Sequence, residues 1–135
     1  MKATFVIPTY NEAENLPKLV SALFSLPLDI NVLVVDDNSP DGTGRVADEL
    51  VSKYPGRIEV LHRPGKMGLR SAYLNGFQKV MDGSVDAIVQ MDADFSHDPK
   101  KLLELLDACE NQGAYLSVGS RYVKGGGVAD WPWDR

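Results

Sequence analysis

Lys and Arg number 14 and Asp and Glu 19 across 135 residues, a formal net charge of −5, with 44% hydrophobic and 24% charged residues. These are the values of one folded domain with enough chain to bury a core, and the acidic balance excludes broad nucleic-acid binding, which needs a basic face. No apolar run is long enough to span a bilayer, Met1-Lys2 carries no signal-peptide pattern, and the single Cys109 cannot form an internal disulfide, so a reducing, cytoplasmic setting is expected.

The first strand is predicted over Ala3–Ile7. Leu16, Leu19, Val20, Leu23 and Phe24 then recur at one-face helical spacing. Pro17 is compatible with a helix starting near Asn15, because a first-turn residue has no intrahelical N–H bond to lose. A second strand is predicted over Asn31–Val35 and a second helix over Val46, Ala47, Leu50, Val51 and Tyr54. A third strand follows over Ile58–His62, with a helix through Leu69, Ala72, Tyr73, Gly76, Phe77 and Val80. The fourth strand, Ala87–Met91, leads to a helix through Leu102, Leu105, Leu106 and Cys109, with Asp98 as N-cap and Pro99 at its first position. A fifth strand is predicted over Tyr115–Ser120. Strands alternating with helices imply a mainly parallel α/β sheet with right-handed crossovers. No internal repeat is visible. The final stretch, with Gly125-Gly126-Gly127 and Trp131-Pro132-Trp133, reads as belonging to a fragment whose C-terminal partner elements are missing.

In such a sheet, ligands bind beyond the carboxyl ends of the strands. Polar, non-periodic residues gather there: Pro8 to Glu12, Asp36 to Gly42, Asp92 to His97, and Arg121-Tyr122. Asp92-Ala93-Asp94 sets two carboxylates one residue apart, and like charges at that spacing call for a cation. Mg²⁺ takes one or two carboxylates together with substrate phosphates. The same tripeptide also serves as a solvated turn. Asp36-Asp37 has the same ambiguity: Asp37 is either a hydrogen-bond acceptor for a base or ribose, or part of a turn in which Asp41 or Thr43 caps the next helix.

Arg63, Lys66 and Arg70 flank glycines before the third helix, an arrangement able to receive an anion. The glycine fingerprints of dinucleotide dehydrogenases and P-loop NTPases are absent, and no serine stands in a nucleophile elbow. His62 and His97 lack zinc-site spacing. Cys109 reads as a packed residue, and His97 as a helix-start surface residue beside the acidic cluster.

The segments PTYNEAENLP (8–17), VVDDNSPDGTG (34–44), HRPGKMGLRSAY (62–73), QMDADFSHDP (90–99) and GSRYVKGGGV (119–128) together resemble family 2 glycosyltransferases of the GT-A fold, most closely the dolichol- and polyprenol-phosphate mannose synthases. The resemblance implies a Rossmann-like three-layer α/β/α sandwich, truncated at its C-terminus, with residues 1–135 forming the donor-binding part of a single domain. It implies transfer of mannose from GDP-mannose to a polyprenyl or dolichyl phosphate, inverting at the anomeric carbon, with Mg²⁺ or Mn²⁺ as cofactor. By the same resemblance Pro8, Tyr10 and Glu12 line the nucleotide pocket, and Val35 and Asp37 meet the base and ribose. Asp92, Ala93 and Asp94 meet the ribose–diphosphate region, Asp94 holds the metal, and Arg121 and Arg135 face the diphosphate. Ser96 stands where the family often has a metal-contacting Gln; its shorter side chain favours a water bridge. Arg70 stands where the family commonly has Gly. The implied setting is the cytosolic face of a membrane, reached through an anchoring partner or a missing C-terminal region. The rival readings are another family 2 transferase using a UDP-sugar or glucose, a phosphate-accepting receiver domain, and a nucleotide-binding fragment without turnover. The receiver reading fails because its acidic pair should follow the first strand, where Pro8-Thr9-Tyr10 stands instead.

Overall fold

The computed structural model describes residues 1–120. They fall into a compact unit, Met1–Pro99, and a second that begins at Lys100. In the first, the chain runs β1 (Lys2–Thr9), α1 (Asn15–Phe24), β2 (Asp29–Asp36), α2 (Thr43–Lys53), β3 (Ile58–His62), α3 (Leu69–Met81) and β4 (Ala87–Gln90). The strands form one sheet in the order β3-β2-β1-β4, every pair parallel.

This order follows from hydrophobic patterning and the hand of the crossovers. β1 and β2 are near-continuous apolar runs, as strands buried on both faces must be. Val6, Leu33 and Val35 point to the face covered by α3, where Ala72, Tyr73 and Val80 meet them. Phe5, Ile7, Val32 and Val34 alternate to the opposite face and are equally buried. There α1 and α2 pack on each other and on β2. Right-handed crossovers demand this split, because the chain steps from β1 through β3 in one direction and returns to β4 in the other. The unit therefore has the three layers expected from the sequence.

Local signals explain the element boundaries. Pro17 is the third residue of α1, where its missing N–H costs nothing. The stripe Leu16, Leu19, Val20 and Leu23 is fully buried, each side chain contributing on the order of 1.5–3 kcal/mol. Gly76 lets α3 sit directly on the sheet: a Cβ there would overlap Val6 and stand 3.3 Å from Val35 Cγ2. Leu69, expected on the buried stripe of α3, is instead exposed at its first position.

In the second unit α4 spans Leu102–Asn111, entered through a 3₁₀ turn over Pro99–Lys101. Pro99 thus opens a tighter turn and not the α-helix itself. The expected fifth strand is absent: residues 115–120 have no strand, and Tyr115, Leu116 and Val118 are exposed. Their apolar alternation carries strand propensity, but propensity yields a strand only where a ladder partner and a covering face exist.

Candidate donor-binding site

The strand order reverses between β1 and β4, so the crevice of this sheet lies at their carboxyl ends, next to that of β2. The loops leaving these three strands each contain one non-glycine residue with positive φ: Asn11 at 59°, Asn38 at 52° and Phe95 at 61°. For a residue as bulky as Phe this is a conformational outlier, and such outliers persist where surrounding structure over-determines them.

The loops after β1 and β2 are laced together. Asp36 is buried and accepts hydrogen bonds from Thr9 Oγ1 at 2.8 Å and Ser39 Oγ at 2.6 Å on the same oxygen. Gly44 leaves room for it, since a Cβ there would come to 3.0 Å from Asp36 Oδ2. Asn11 N–H donates to Ser39 Oγ, Glu12 N–H to Thr43 Oγ1 and Ala13 N–H to Asp41 Oδ2. Asp41 also accepts from the Thr43 N–H at 3.0 Å, so it secures the start of α2. The Thr43 hydroxyl is the main cause holding the Asp41 carboxyl below its ordinary range, joined by backbone N–H donors and opposed by burial. Both residues named as caps therefore serve the turn, and the turn fixes the loop carrying Tyr10 and Glu12.

Asp37 is paired with Arg63 at the end of β3. Arg63 Nε donates to Oδ1 at 2.5 Å and Nη2 to Oδ2 at 2.9 Å, with the two side chains 3% and 8% exposed. The same guanidinium donates to Ser71 Oγ at 2.8 Å and to the Gly68 carbonyl. One buried cation thus ties β2 to the loop before α3. Lys66 of that loop lies 4.6 Å over the Tyr10 ring, a cation–π contact that brings the first loop and the third together.

Beyond β4, Asp92 is half-buried and Ala93 is buried, while Asp94 is exposed. Asp92 Oδ1 accepts from Tyr73 Oη at 2.5 Å, and the Asp92 N–H donates to His97 Nδ1 at 3.2 Å. Asp94 Oδ1 accepts from the Ser96 N–H at 3.0 Å. Burial pushes the Asp94 carboxyl up, but hydrogen bonds from the Ser96 side chain and backbone outweigh it and hold the group below its usual range.

Of the residues expected at the site, Pro8 and Val35 are register partners in adjacent strands, both buried. Ala93 is buried beyond β4. Tyr10, Glu12, Asp37, Asp92, Asp94 and Ser96 stand on the three strand-end loops. Val35 sends its side chain toward α3, so it supports the site from below. Arg121 and Arg135 lie outside the described residues. Sequence reasoning missed three groups: Arg63 as the partner of Asp37, Tyr73 as the partner of Asp92, and His97 as a tie to the backbone of the acidic run. A buried tyrosine hydroxyl needs a partner, which is the one signal that could have singled out Tyr73.

No group of three or more His, Cys, Asp or Glu able to hold a metal exists among the described residues. Asp94, exposed and kept ionised, matches a different donor set: one carboxylate for a hard divalent ion whose remaining ligands are phosphate oxygens and water.

The family model for glycosyl transferase family 2 matches residues 4–135. The chain belongs to that family. It is 52% identical over 130 residues to a polyprenol monophosphomannose synthase of Mycolicibacterium smegmatis, covering 96% of this chain and 49% of the relative. It is 45% identical over 137 residues to a dolichol-phosphate mannosyltransferase of Pyrococcus furiosus, covering 100% of this chain and 37% of that one. The chain thus spans about half the length, or less, of these family 2 relatives. Among solved structures it resembles a mannosyltransferase from Pyrobaculum calidifontis in complex with GDP-mannose and Mn²⁺. The TM-score is 0.62 and the identity 23%, over 69% of this chain and 27% of that one. At that identity the likeness concerns the fold, which is the GT-A architecture of family 2 glycosyltransferases.

Proposed function

We propose that this chain is the donor-binding part of a mannosyltransferase that moves mannose from GDP-mannose to a polyprenyl or dolichyl phosphate. The observation that carries the reading is Asp92-Ala93-Asp94 at the sheet's switch point, in a chain 52% identical to a polyprenol monophosphomannose synthase. In the reaction an oxygen of the acceptor phosphate attacks the anomeric carbon, and the bond from that carbon to GDP breaks, with inversion. The acceptor is a phosphate monoester already ionised at neutral pH, so no strong general base is required.

Pro8, Tyr10 and Glu12 line the nucleotide pocket, with Val35 and Asp37 toward base and ribose and Ala93 toward the ribose–diphosphate region. Asp37 Oδ2 accepts from Arg63 and from the Met67 N–H, whereas Oδ1 accepts from Arg63 alone, and a carboxylate oxygen can accept a second hydrogen bond. Asp92 orients the ribose–diphosphate region. A divalent ion, Mg²⁺ or Mn²⁺, held by Asp94 and through water by Ser96, would neutralise charge on the departing diphosphate. Arg121 and Arg135 are assigned to the same charge. Placing the two substrates together accounts for much of the remaining acceleration.

A polyprenyl phosphate resides in a bilayer. No helix among the described residues is long and apolar enough to cross a membrane. The family resemblance supports action at the cytosolic membrane face, reached through an anchoring partner or a further C-terminal region. Calorimetric titration of GDP, UDP and GDP-mannose, each with and without Mg²⁺ or Mn²⁺, tests the reading. Metal-dependent binding with GDP tighter than UDP is expected; equal or tighter UDP binding points to a UDP-sugar transferase instead.

A further inference from the structure

Tyr73 lies on the inner face of α3, 5% exposed, within the cluster formed by Val6, Leu33 and Val35 and with its ring 6.0 Å from that of Phe77. Its ring is core, yet its hydroxyl reaches the end of β4 and donates to Asp92 Oδ1 at 2.5 Å. Burial, the hydrogen bond to Asp92 and the charges of Asp92 and Asp94 all push Tyr73 ionisation far above the ordinary phenol range, so the group remains a donor at any working pH. On the other side the Asp92 backbone N–H is tied to His97. Asp92 is thus held at its side chain by α3 and at its main chain by a residue of its own loop.

A hydroxyl needed only to complete the core could meet a backbone carbonyl. This one engages a half-buried carboxylate on the strand-end loop, ahead of the exposed Asp94. We propose that Tyr73 is a positioning residue, fixing one oxygen of Asp92 so that the other faces the ribose–diphosphate of the donor. The inference rests on the donor-site reading above. Deleting the hydroxyl frees the carboxylate to rotate, and a ligand must then re-order it on binding.

Tyr73→Phe removes the hydroxyl and keeps the ring. The test is calorimetric titration of GDP with Mg²⁺ into the wild type, Tyr73→Phe, Asp92→Ala and the double variant, alongside their thermal melts. Loss of a charge-assisted hydrogen bond predicts GDP binding about tenfold weaker in Tyr73→Phe. The double variant should bind no more weakly than Asp92→Ala alone, because Tyr73 then has nothing to position. A purely structural tyrosine would lower the melting temperature and leave GDP affinity unchanged, or would add its full loss to that of Asp92→Ala; either outcome overturns the proposal. Should Tyr73→Phe not fold, Tyr73→Met fills the same space with an adaptable side chain that likewise lacks the hydroxyl. A weaker GDP affinity is expected there, and an unchanged one overturns the proposal. A wild type that binds neither GDP nor UDP removes the donor-site reading, and this inference with it, whereas normal wild-type binding with an unaffected Tyr73→Phe removes this inference alone.

Discussion

Arg63 and Asp37 face each other across the ends of β3 and β2 as a two-pronged ion pair almost closed to water. Such a pair is costly to assemble and more costly to break, because removing one partner strands a buried charge. Its value here is geometric. It anchors the loop from Pro64 to Gly68 through Ser71 and the Gly68 carbonyl, and that loop carries Lys66 onto Tyr10.

Arg63→Ala should therefore destabilise the domain by about 3–5 kcal/mol, leaving Asp37 buried and unpaired. Urea unfolding followed by circular dichroism measures this. A loss below about 1 kcal/mol would mean that water or another cation replaces the guanidinium.

Asp94→Asn removes a negative charge and keeps the shape. Nucleotide binding should lose its metal dependence while the far-UV spectrum stays unchanged. GDP titrations with and without Mn²⁺ read the outcome, and an unaltered metal dependence rules Asp94 out as the ligand.

The carboxyls of Asp41 and Asp94 are both held below their ordinary range. A carboxyl depressed in the folded state binds protons more weakly there than in the unfolded chain. Its contribution is then complete above the unfolded value, near the reference of 3.8, and fades as pH falls through the folded value. Stability should be flat from neutral pH down to about 5 and fall below about 4. In Asp41→Asn the acid limb should be shallower, as denaturant midpoints measured across that range would reveal.

Gly76→Val should cost about 1–3 kcal/mol or more, since the new side chain must occupy the space of Val6. Leu19→Ala, in the fully buried stripe of α1, should cost about 2–5 kcal/mol by leaving a cavity. A melting temperature unchanged by Gly76→Val would show that α3 can lift off β1 without penalty.

Much of this fold was legible because its signals are local. The apolar runs of β1 and β2, the α1 stripe and the tolerated Pro17 each depend on residues a few positions apart. The acidic run at 92–94 was legible for the same reason. The partners of those groups were not. Arg63 and Asp37 are 26 residues apart and meet only because the α2 crossover sets β3 beside β2, while Tyr73 and Asp92 are 19 apart and meet only because α3 packs back on the sheet. His97 is exposed, as the sequence suggests, but its hydrogen bond to the Asp92 N–H is a contact that the sequence does not display. The fifth strand failed in the opposite way: Tyr115 to Ser120 has the alternation of a strand and lacks the ladder that makes one.

The sheet order also imposes a schedule on biosynthesis. β1 is an interior strand, yet Ala3 must wait for Ala87 before its second side is paired. While the ribosome is still making α3, β2 can pair with both β1 and β3, but Phe5, Val6 and Ile7 border an open edge. An open apolar edge is a template for another chain, and pairing this distant in sequence forms late. The nascent polypeptide is thus most prone to aggregate just before β4 emerges, and arrival of that strand both closes the edge and completes the acidic rim.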